Sequence, residues 1–335
     1  QVNIFTSILF GGISGSAAAD TAALGSIFIP SMTKEGYDKD FSAAVTVASS
    51  IIAPIIPPSI IMVIYGAIMG VSIAGLFAAG IVPGLLIGLA LMLVTRHISK
   101  KRNYPRAVEK PTFKQIFVTT KRAALALIMP FIILGGILGG VVTPTEAAAV
   151  AVGFALFLGL IVYRNLTIKD LYQLFFRTSM MMGIIALIMS AAAVLAWLLA
   201  SEQIPEKVAA LFLSLTHNKY LILLLVNLFL ILVGMFMDIT ASLLILAPIL
   251  APLATNLGVD PLHFGIMMCI NLNIALMTPP VGGCLFMAMA IGQLEFGSLV
   301  RAIWPFILVE IMVLFLAVYI PELTLTVPRW LGFID

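Results

Sequence analysis

The sequences Ala-Pro-Ile-Ile-Pro-Pro-Ser at residues 53–59 and Met-Thr-Pro-Pro-Val-Gly-Gly at residues 277–283 each place paired prolines in the middle of a long apolar segment. Each proline removes an amide donor and clashes with the preceding helical turn, so nearby carbonyl groups lose their helical partners. In hydrocarbon an unsatisfied backbone group costs several kcal/mol, so such a break is tolerated only inside protein or beside a wet cavity. The two segments therefore predict two helices that are broken at their centres.

These proline pairs belong to an internal duplication, in which residues 12–94 and 234–316 are diverged copies. With a shift of 222, Gly36, Asp38, Pro57, Pro58, Gly70 and Pro83 recur as Gly258, Asp260, Pro279, Pro280, Gly292 and Pro305. Asp20 and Asp238 each lie ten residues before a proline, which pairs the two aspartates. A duplication that keeps helix breakers inside apolar segments is typical of secondary transporters.

The composition identifies an integral membrane protein, because 62% of the residues are hydrophobic, 10% are charged and the mean hydropathy is +1.17. A membrane-spanning helix needs about 20 apolar residues. Runs of about this length lie near residues 74–95, 123–142, 146–163, 178–200 and 298–320. The sequence therefore predicts an all-α polytopic membrane protein.

The positive charges predict the orientation of these spans. Nine of the 18 lysines and arginines lie between Arg96 and Arg122, which places this segment in the cytoplasm. We interpret residues 96–122 as a basic arm lying on the inner membrane surface. Three spans separate the two copies, and an odd number inverts the second copy relative to the first. The repeat is thus predicted to be of the inverted-topology kind.

Each copy begins with an element that is too short to cross the membrane and too apolar to be a loop. Residues 220–232 extend over only about half a membrane at 1.5 Å per residue, and a return run follows a polar turn at residues 234–240. In the first copy the corresponding turn is Gly-Gly-Ile-Ser-Gly-Ser-Ala at residues 11–17. The pattern predicts two re-entrant hairpins, with helix pairs packed through small residues as the alternative.

Freed carbonyls at the breaks and hydroxyls at the hairpin tips are oxygen ligands for a small cation. We therefore predict two sodium sites related by the repeat, one in each copy. Their candidate residues are Ser14, Gly15, Ser16, Pro54 and Pro57 in the first copy and Gly234, Asp238, Thr240, Thr278 and Pro279 in the second. Proline kinks that bind no ligand are the alternative.

Asp20 and Asp238 are the acidic residues inside the hairpins, where a carboxylate at the bilayer centre costs about 2.5 to 3.5 kcal/mol. They are candidates for a sodium-coupling role, for capping the returning helices, or for carrying protons. An anionic substrate is predicted between the tips, near half-helix N-termini. Its candidate residues are Ser16, Asn271, Asn273 and Thr278.

Four further residues receive structural interpretations. Cys269 and Cys284 lie in apolar helical sequence and are predicted to be structural thiols. Glu146, in Thr-Pro-Thr-Glu, fits a helix capping box. Glu310 is interpreted as a polar contact between helices.

The segments Gln-Val-Asn at 1–3, GISGSAAAD at 12–20, TPTEAAA at 143–149 and TPPVG at 278–282 together resemble the large membrane subunit of the tripartite ATP-independent periplasmic (TRAP) transporters. The resemblance spans essentially the whole chain. It implies a sodium-driven elevator importer of organic acid anions, such as C4-dicarboxylates or sialic acid, in the bacterial inner membrane. It also implies two protein partners, a small four-helix membrane subunit and a periplasmic substrate-binding protein.

The expected organisation follows from the repeat and from this resemblance. Residues 1–73 and 216–296 form the transport domain, residues 74–215 mainly supply scaffold helices, and residues 297–335 supply a scaffold helix and a tail. Two N-terminal spans are expected to be missing. Na⁺ is the predicted coupling ion, with no other cofactor and no nucleic-acid partner.

The main alternative function is a self-sufficient sodium/divalent-anion symporter. Such carriers have similar architecture but bear Ser-Asn-Thr at each hairpin tip, whereas residues 14–16 and 238–240 read Ser-Gly-Ser and Asp-Ile-Thr. An intramembrane enzyme is a further alternative, disfavoured because no nucleophile is paired with a base. Proton coupling through the two aspartates remains open.

Overall fold

A computed structural model describes residues 1–105, 113–216 and 218–334, which form α-helices and one π-helical turn at Leu158–Val162. In chain order the α-helices are α1 (Val2–Ser14), α2 (Ala17–Lys34), α3 (Lys39–Ser50), α4 (Ile60–Met69), α5 (Ile73–Lys101), α6 (Phe113–Leu138), α7 (Pro144–Phe157), α8 (Ile168–Ser201), α9 (Ile204–Leu215), α10 (Lys219–Gly234), α11 (Ile239–Asn256), α12 (Pro261–Leu276), α13 (Gly283–Gly292), α14 (Phe296–Tyr319) and α15 (Glu322–Trp330).

The first hairpin consists of α1 and α2, joined by only two residues. Gly15 ends α1 in the left-handed conformation, with φ of 60°, and its N–H donates to the carbonyl of Gly11. Ser16 is extended and starts α2 as its N-cap. The tip is therefore shorter than predicted, because residues 11–14 remain helical.

The second hairpin consists of α10 and α11, joined by residues 235–238. Asp238 is extended and caps α11 with its side chain. Both helix pairs turn back at these tips, as the sequence predicts for hairpins, and the first limbs α1 and α10 are the shorter ones, with 13 and 16 residues.

The predicted helix breaks are confirmed. In the first copy the helix stops at Ser50 and resumes at Ile60. In the second copy it stops at Leu276 and resumes at Gly283. The Pro57–Pro58 and Pro279–Pro280 peptide bonds, both cis, lie in these two breaks.

The helices give the register of the repeat, because residues 17–34 shifted by 222 coincide with residues 239–256, the bounds of α2 and α11. The pairing of Asp20 with Asp238 is therefore wrong. The equivalent pairs are Ser16 with Asp238, Asp20 with Ser242, and Pro30 with Pro252. The spacing misled because α11 contains two prolines, and Pro252 rather than Pro248 matches Pro30.

Contacts between the two copies are reciprocal. The returning limb α2 packs against α13 of the other copy, and its equivalent α11 packs against α4. In the same way, α3 packs against α14 and α12 packs against α5. Exchanging the copies reproduces each contact, as a two-fold relation requires.

The chain divides into two compact units, Gln1–Arg106 with Leu199–Asp335, and Ala107–Leu198. Both copies lie in the first unit, and α5 and α14 pack there beside the broken helices. The predicted boundaries at residues 74 and 297 therefore fall inside this unit. The second unit contains α6, α7, the π-helical turn and most of α8.

Within the described residues five helices are long and apolar enough to cross a membrane, namely Ile73–Lys101, Pro144–Val162, Ile168–Leu199, Ile239–Asn256 and Phe296–Tyr319. Four of them coincide with predicted runs. The run at 123–142 falls largely on α6, whose described apolar part, Leu127–Leu138, is shorter. Residues 106–112, in the middle of the predicted basic arm, lie outside the described residues.

Candidate functional site

The tip of the first hairpin lies directly against the break in the first copy. A Cβ atom built on Gly15 would lie 2.6 Å from the carbonyl oxygen of Pro58. The N–H of Ile60, which starts α4, donates to the carbonyl of Gly15 over 3.5 Å. One turn earlier, a Cβ on Gly11 would lie 2.8 Å from the Cα of Ala53. Glycine is required at both positions because backbone meets backbone.

Three side chains converge at this tip. The hydroxyl of Ser14 donates to a carboxylate oxygen of Asp20, which is fully buried in α2. The hydroxyl of Ser16 accepts from the N–H of Ala19 over 3.4 Å and so caps α2. The other carboxylate oxygen of Asp20 has no hydrogen-bond partner among the described residues. Asp20 therefore lies in the first turn of α2, beyond the N-cap residue Ser16, and does not itself cap the helix.

The break itself provides buried carbonyl groups. The carbonyl of Pro54 accepts a hydrogen bond of 2.6 Å from the hydroxyl of Ser59, which also caps α4. A carbonyl oxygen has two lone pairs, so Pro54 retains acceptor capacity. Pro57 is buried in the same break. The structure thus places Gly15 beside Pro58 and Ser59, and Ser59 bonds to the carbonyl of Pro54.

In the second copy the end of the first hairpin limb contacts the broken helix just before its break. A Cβ built on Gly234 would lie 2.6 Å from the Cβ of Ala275, in the last turn of α12. Asp238 is exposed and accepts from the N–H groups of Thr240 and Ala241 at 2.8 and 3.4 Å. Helix capping is therefore the role that the structure shows for this carboxylate.

The candidate polar residues of α12 and its break bond mainly to backbone carbonyls. Thr278 donates to Ile274 over 2.7 Å, and Asn273 donates to Cys269 over 2.7 Å. The carbonyl oxygen of the Asn273 side chain is buried without a partner in the described residues. Pro279 is partly exposed in the break.

Asn271 faces the first limb of the hairpin rather than its tip. Its amide donates to both the backbone and side-chain oxygens of Asn227, at 3.0 and 2.9 Å. Both asparagines are fully buried, on α12 and α10 respectively. The structure thus places Asn271 where it holds the hairpin on the broken helix.

An equivalent row of buried polar contacts, not predicted from the sequence, joins α1 and α3 in the first copy. Asn3 donates to Thr46, and Ser7 donates to Ser49, each over 2.8 Å, and all four residues are buried. The signal was present, because polar residues recur in α3 with helical spacing, at Ser42, Thr46, Ser49 and Ser50.

In each copy the start of the broken helix contacts residues that follow a long helix. In the first copy these residues follow α5, and in the second copy they follow α14. Arg102 bonds to Asp38 over 2.9 Å and lies 5.8 Å above the ring of Phe41. A hydrogen bond with the Tyr104 hydroxyl is the largest of several effects that raise the pKa of Arg102. At the repeat-equivalent positions, His263 pairs with Thr324 over 2.6 Å. The two contacts therefore connect α3 with the end of α5 and α12 with α15.

The four structurally interpreted residues have different outcomes. Cys269 and Cys284 are buried free thiols, as predicted. The capping box is also confirmed, because Glu146 accepts from the N–H of Thr143 over 2.8 Å and donates its own N–H to the Thr143 hydroxyl over 3.3 Å. Glu310 is fully buried, and neither of its carboxylate oxygens has a hydrogen-bond partner among the described residues.

Comparison with known proteins agrees with this architecture. Residues 1–323 match the family model of the tripartite ATP-independent periplasmic transporter, DctM component. The chain is 42% identical to the sialic acid TRAP transporter large permease protein SiaM of Vibrio cholerae, covering 99% of this chain and 78% of that one. It is 38% identical to the C4-dicarboxylate TRAP transporter large permease protein DctM of Pseudomonas aeruginosa, covering 98% and 77%.

A third relative is the 2,3-diketo-L-gulonate TRAP transporter large permease protein YiaN of Escherichia coli, 36% identical over 99% of this chain and 78% of that one. Among solved structures, the YdaH transporter of Alcanivorax borkumensis has the same fold, with a TM-score of 0.55 at 15% identity over 99% of this chain and 85% of that one. The chain therefore belongs to the DctM component family, the large permease proteins of the TRAP transporters.

Proposed function

We propose that this chain imports an organic acid anion by sodium-coupled transport across the bacterial inner membrane. The substrates named for its relatives are sialic acid, C4-dicarboxylates and 2,3-diketo-L-gulonate, which all carry a carboxylate. A periplasmic binding protein delivers the anion, and a small four-helix membrane subunit completes the transporter.

The observation that supports this proposal most is the contact between hairpin and broken helix in both copies. Gly15 lies against Pro58 in the first copy, and Gly234 lies against Ala275 in the second. Ala53, which Gly11 contacts in the first copy, is the repeat counterpart of Ala275, so both hairpins pack on their broken helices at equivalent positions. Re-entrant tips beside broken helices are the usual location of ion and substrate sites in secondary transporters.

In each copy the hairpin tip and the break offer oxygen atoms for Na⁺. In the first, Ser14, Gly15 and Ser16 lie at the tip, and Pro54 and Pro57 lie in the break. In the second, the oxygens come from Gly234, Asp238, Thr240, Thr278 and Pro279. Asp20 supports the first site with a buried carboxylate oxygen that has no partner among the described residues.

The anion binds between the two tips, where helices begin. The limbs α2 and α11 start at the tips, and α4 and α13 start at the breaks. Helix N-termini carry partial positive charge, which favours a carboxylate. Ser16 and Thr278 contribute hydroxyl groups there, while Asn273 supplies its amide from the turn before the break. Asn271 acts from a distance by holding α10.

The mobile domain of the elevator is the first compact unit, including α5 and α14. These helices pack against α12 and α3, so a movement of the broken helices carries them along. The scaffold then consists of the helices of the second unit. This proposal differs from the expectation from the sequence, in which α5 and α14 belong to the scaffold.

Uptake of a labelled anion by proteoliposomes tests the proposal. The full-length protein with its small subunit is compared under an inward sodium gradient and an equal potassium gradient, with and without the binding protein. We expect uptake to require both sodium and the binding protein. With two Na⁺ per monoanion, each net positive charge gains about 2.3 kcal/mol per 100 mV, so an inside-negative potential increases accumulation.

The other outcomes each contradict part of the proposal. Sodium-driven uptake without the binding protein identifies a self-sufficient symporter. Uptake driven by a proton gradient and indifferent to sodium moves the coupling role to a carboxylate, with Asp20 as the buried candidate.

A further inference from the structure

A cleft of about 270 Å³ lies where the end of α2, the start of α3 and the end of α13 meet. Its polar lining includes Lys34, Lys39 and Gln293, and its apolar lining includes Ile29 and Ile291. The cleft lies at the base of the first hairpin, at the end of α2 that is opposite the tip. Since a re-entrant hairpin has its base at the membrane surface, we expect the cleft to lie there, with Ile29 and Ile291 on its apolar side.

The two lysines are available to an anion. Both are exposed, and neither forms an ion pair with a carboxylate of the described residues. Of the neighbouring acids, Asp38 and Asp40 are directed to Arg102, at 2.9 and 3.8 Å, while Glu35, next to Lys34, is exposed and forms no ion pair among the described residues. The local negative charge is thus partly compensated without either lysine.

The repeat provides an internal comparison for this cleft. The equivalent seam is formed by α11 and α4, where Asn256 replaces Lys34 and Pro261 replaces Lys39. Val71 replaces Gln293 at the third polar position. The equivalent helices α11 and α4 therefore pack together without charged residues at these positions. The lysines are thus not needed for the packing of α2 against α13.

We propose that this cleft binds the phosphate group of an acidic phospholipid. The ammonium groups of Lys34 and Lys39 contact the phosphate, Gln293 adds an amide, and an acyl chain follows Ile29 and Ile291. Basic pockets between membrane helices on the cytoplasmic side bind anionic headgroups, and the excess of basic residues between Arg96 and Arg122 places this end of the unit there.

Native mass spectrometry of the full-length protein with its small subunit tests this proposal. Phosphatidylglycerol and phosphatidylcholine are titrated separately onto the delipidated complex in detergent. We expect the wild type to bind phosphatidylglycerol in preference to phosphatidylcholine. The Lys34→Asn/Lys39→Gln variant is expected to lose about tenfold or more in phosphatidylglycerol affinity, because each lysine contributes separately to headgroup attraction.

The matched control is Lys100→Gln/Lys101→Gln, which removes the same charge from exposed lysines in the last turn of α5. This variant should retain the wild-type preference. An equal loss in the control overturns the proposal in favour of general surface attraction. Competition by inorganic phosphate at millimolar concentration, without preference between the lipids, overturns it in favour of a free anion site. Retained binding by the double cleft variant also overturns it, and size-exclusion profiles verify that all variants are folded.

Discussion

Ser16 and Asp238 occupy the same position in the two hairpins, 222 residues apart, and each is the N-cap of the returning helix. Ser16 accepts a hydrogen bond from one backbone N–H, whereas Asp238 accepts from two. The returning helix is therefore capped by a neutral hydroxyl in the first hairpin and by a carboxylate in the second. The two proposed sodium sites are thus chemically unequal, because the carboxylate of the first is Asp20, beyond the cap, and the carboxylate of the second is the cap Asp238 itself.

Replacing Asp238 separates its capping role from a role in ion binding. Asp238→Ala should lower helix stability by about 1 kcal/mol, because two N–H groups lose their acceptor. Asp238→Ser, which copies the first hairpin, should restore the cap. Thermal unfolding in detergent measures the first effect, and the half-saturating sodium concentration for uptake measures the second. If Asp238→Ser restores both, the carboxylate acts as a cap alone.

Loss of the hydroxyls at Ser16 and Thr278 should weaken transport. We expect Ser16→Ala and Thr278→Ala each to raise the half-saturating sodium or substrate concentration in proteoliposome uptake while membrane insertion is unchanged. Ser26→Ala is the control, because Ser26 is an exposed serine on the same helix as the first tip and donates only to Ala23 among the described residues. Normal transport by both tip variants would show that the assigned sites are wrong.

Gly15→Ala should abolish sodium-dependent uptake. A Cβ atom would collide with the Pro58 carbonyl, and the positive φ adds a conformational cost of about 1 kcal/mol. Gly70→Ala is a matched control, because Gly70 has a similar φ of +65° but open space around its missing Cβ. Uptake by the two variants at equal expression distinguishes the collision from the backbone cost. Equal damage would contradict the close tip-to-break contact.

The hydrogen bonds between Asn227 and Asn271 should give a measurable coupling energy. Interhelical hydrogen bonds in membranes average about 0.6 kcal/mol in double-mutant cycles, with a maximum of about 1.7. Asn227→Ala, Asn271→Ala and the double variant are compared by the free energy of unfolding in mixed micelles. A cycle between Asn227→Ala and Ser26→Ala should be additive. Additivity in the first cycle as well would remove the proposed positioning role of Asn271.

Arg102→Gln should reduce the stability of the protein. The stability of the variant should also depend less on salt than that of the wild type. The Arg102–Asp38 pair is partly exposed, so the expected loss is at most about 1 kcal/mol, and added salt should weaken the wild type more than the variant. Arg102→Lys retains the charge but loses the planar contact above Phe41, and should have an intermediate effect. Unfolding temperatures at low and high ionic strength measure both effects.

The sequence predicted the elements that are repeated and bounded by strong helix breakers. The two breaks and the two hairpins follow from paired prolines and from apolar segments too short to cross a bilayer, and both signals are local. The exact tip of the first hairpin was not predictable from glycines alone, because glycine also packs inside helices, as residues 11–12 do.

The repeat register and the hydrogen-bond partners of buried side chains depend on tertiary structure and did not follow from the sequence. Proline spacing matched Asp20 to Asp238, although the helix bounds match Asp20 to Ser242. The assignment of Asn271 to the substrate stays a prediction, while its hydrogen-bond partner Asn227, 44 residues away in the chain, was not predicted. Such partners are determined by helix packing, which local sequence patterns do not encode.

The reciprocal contacts between the copies have a consequence for the origin of the fold. The helix α2 is covered by α13, and α11 is covered by α4, so a single copy would leave the contact faces of its hairpin and half helix bare. An ancestor containing one copy would have covered them only by dimerising with a second molecule inserted in the opposite orientation. Gene fusion through an odd number of added spans would then have made that antiparallel dimer permanent.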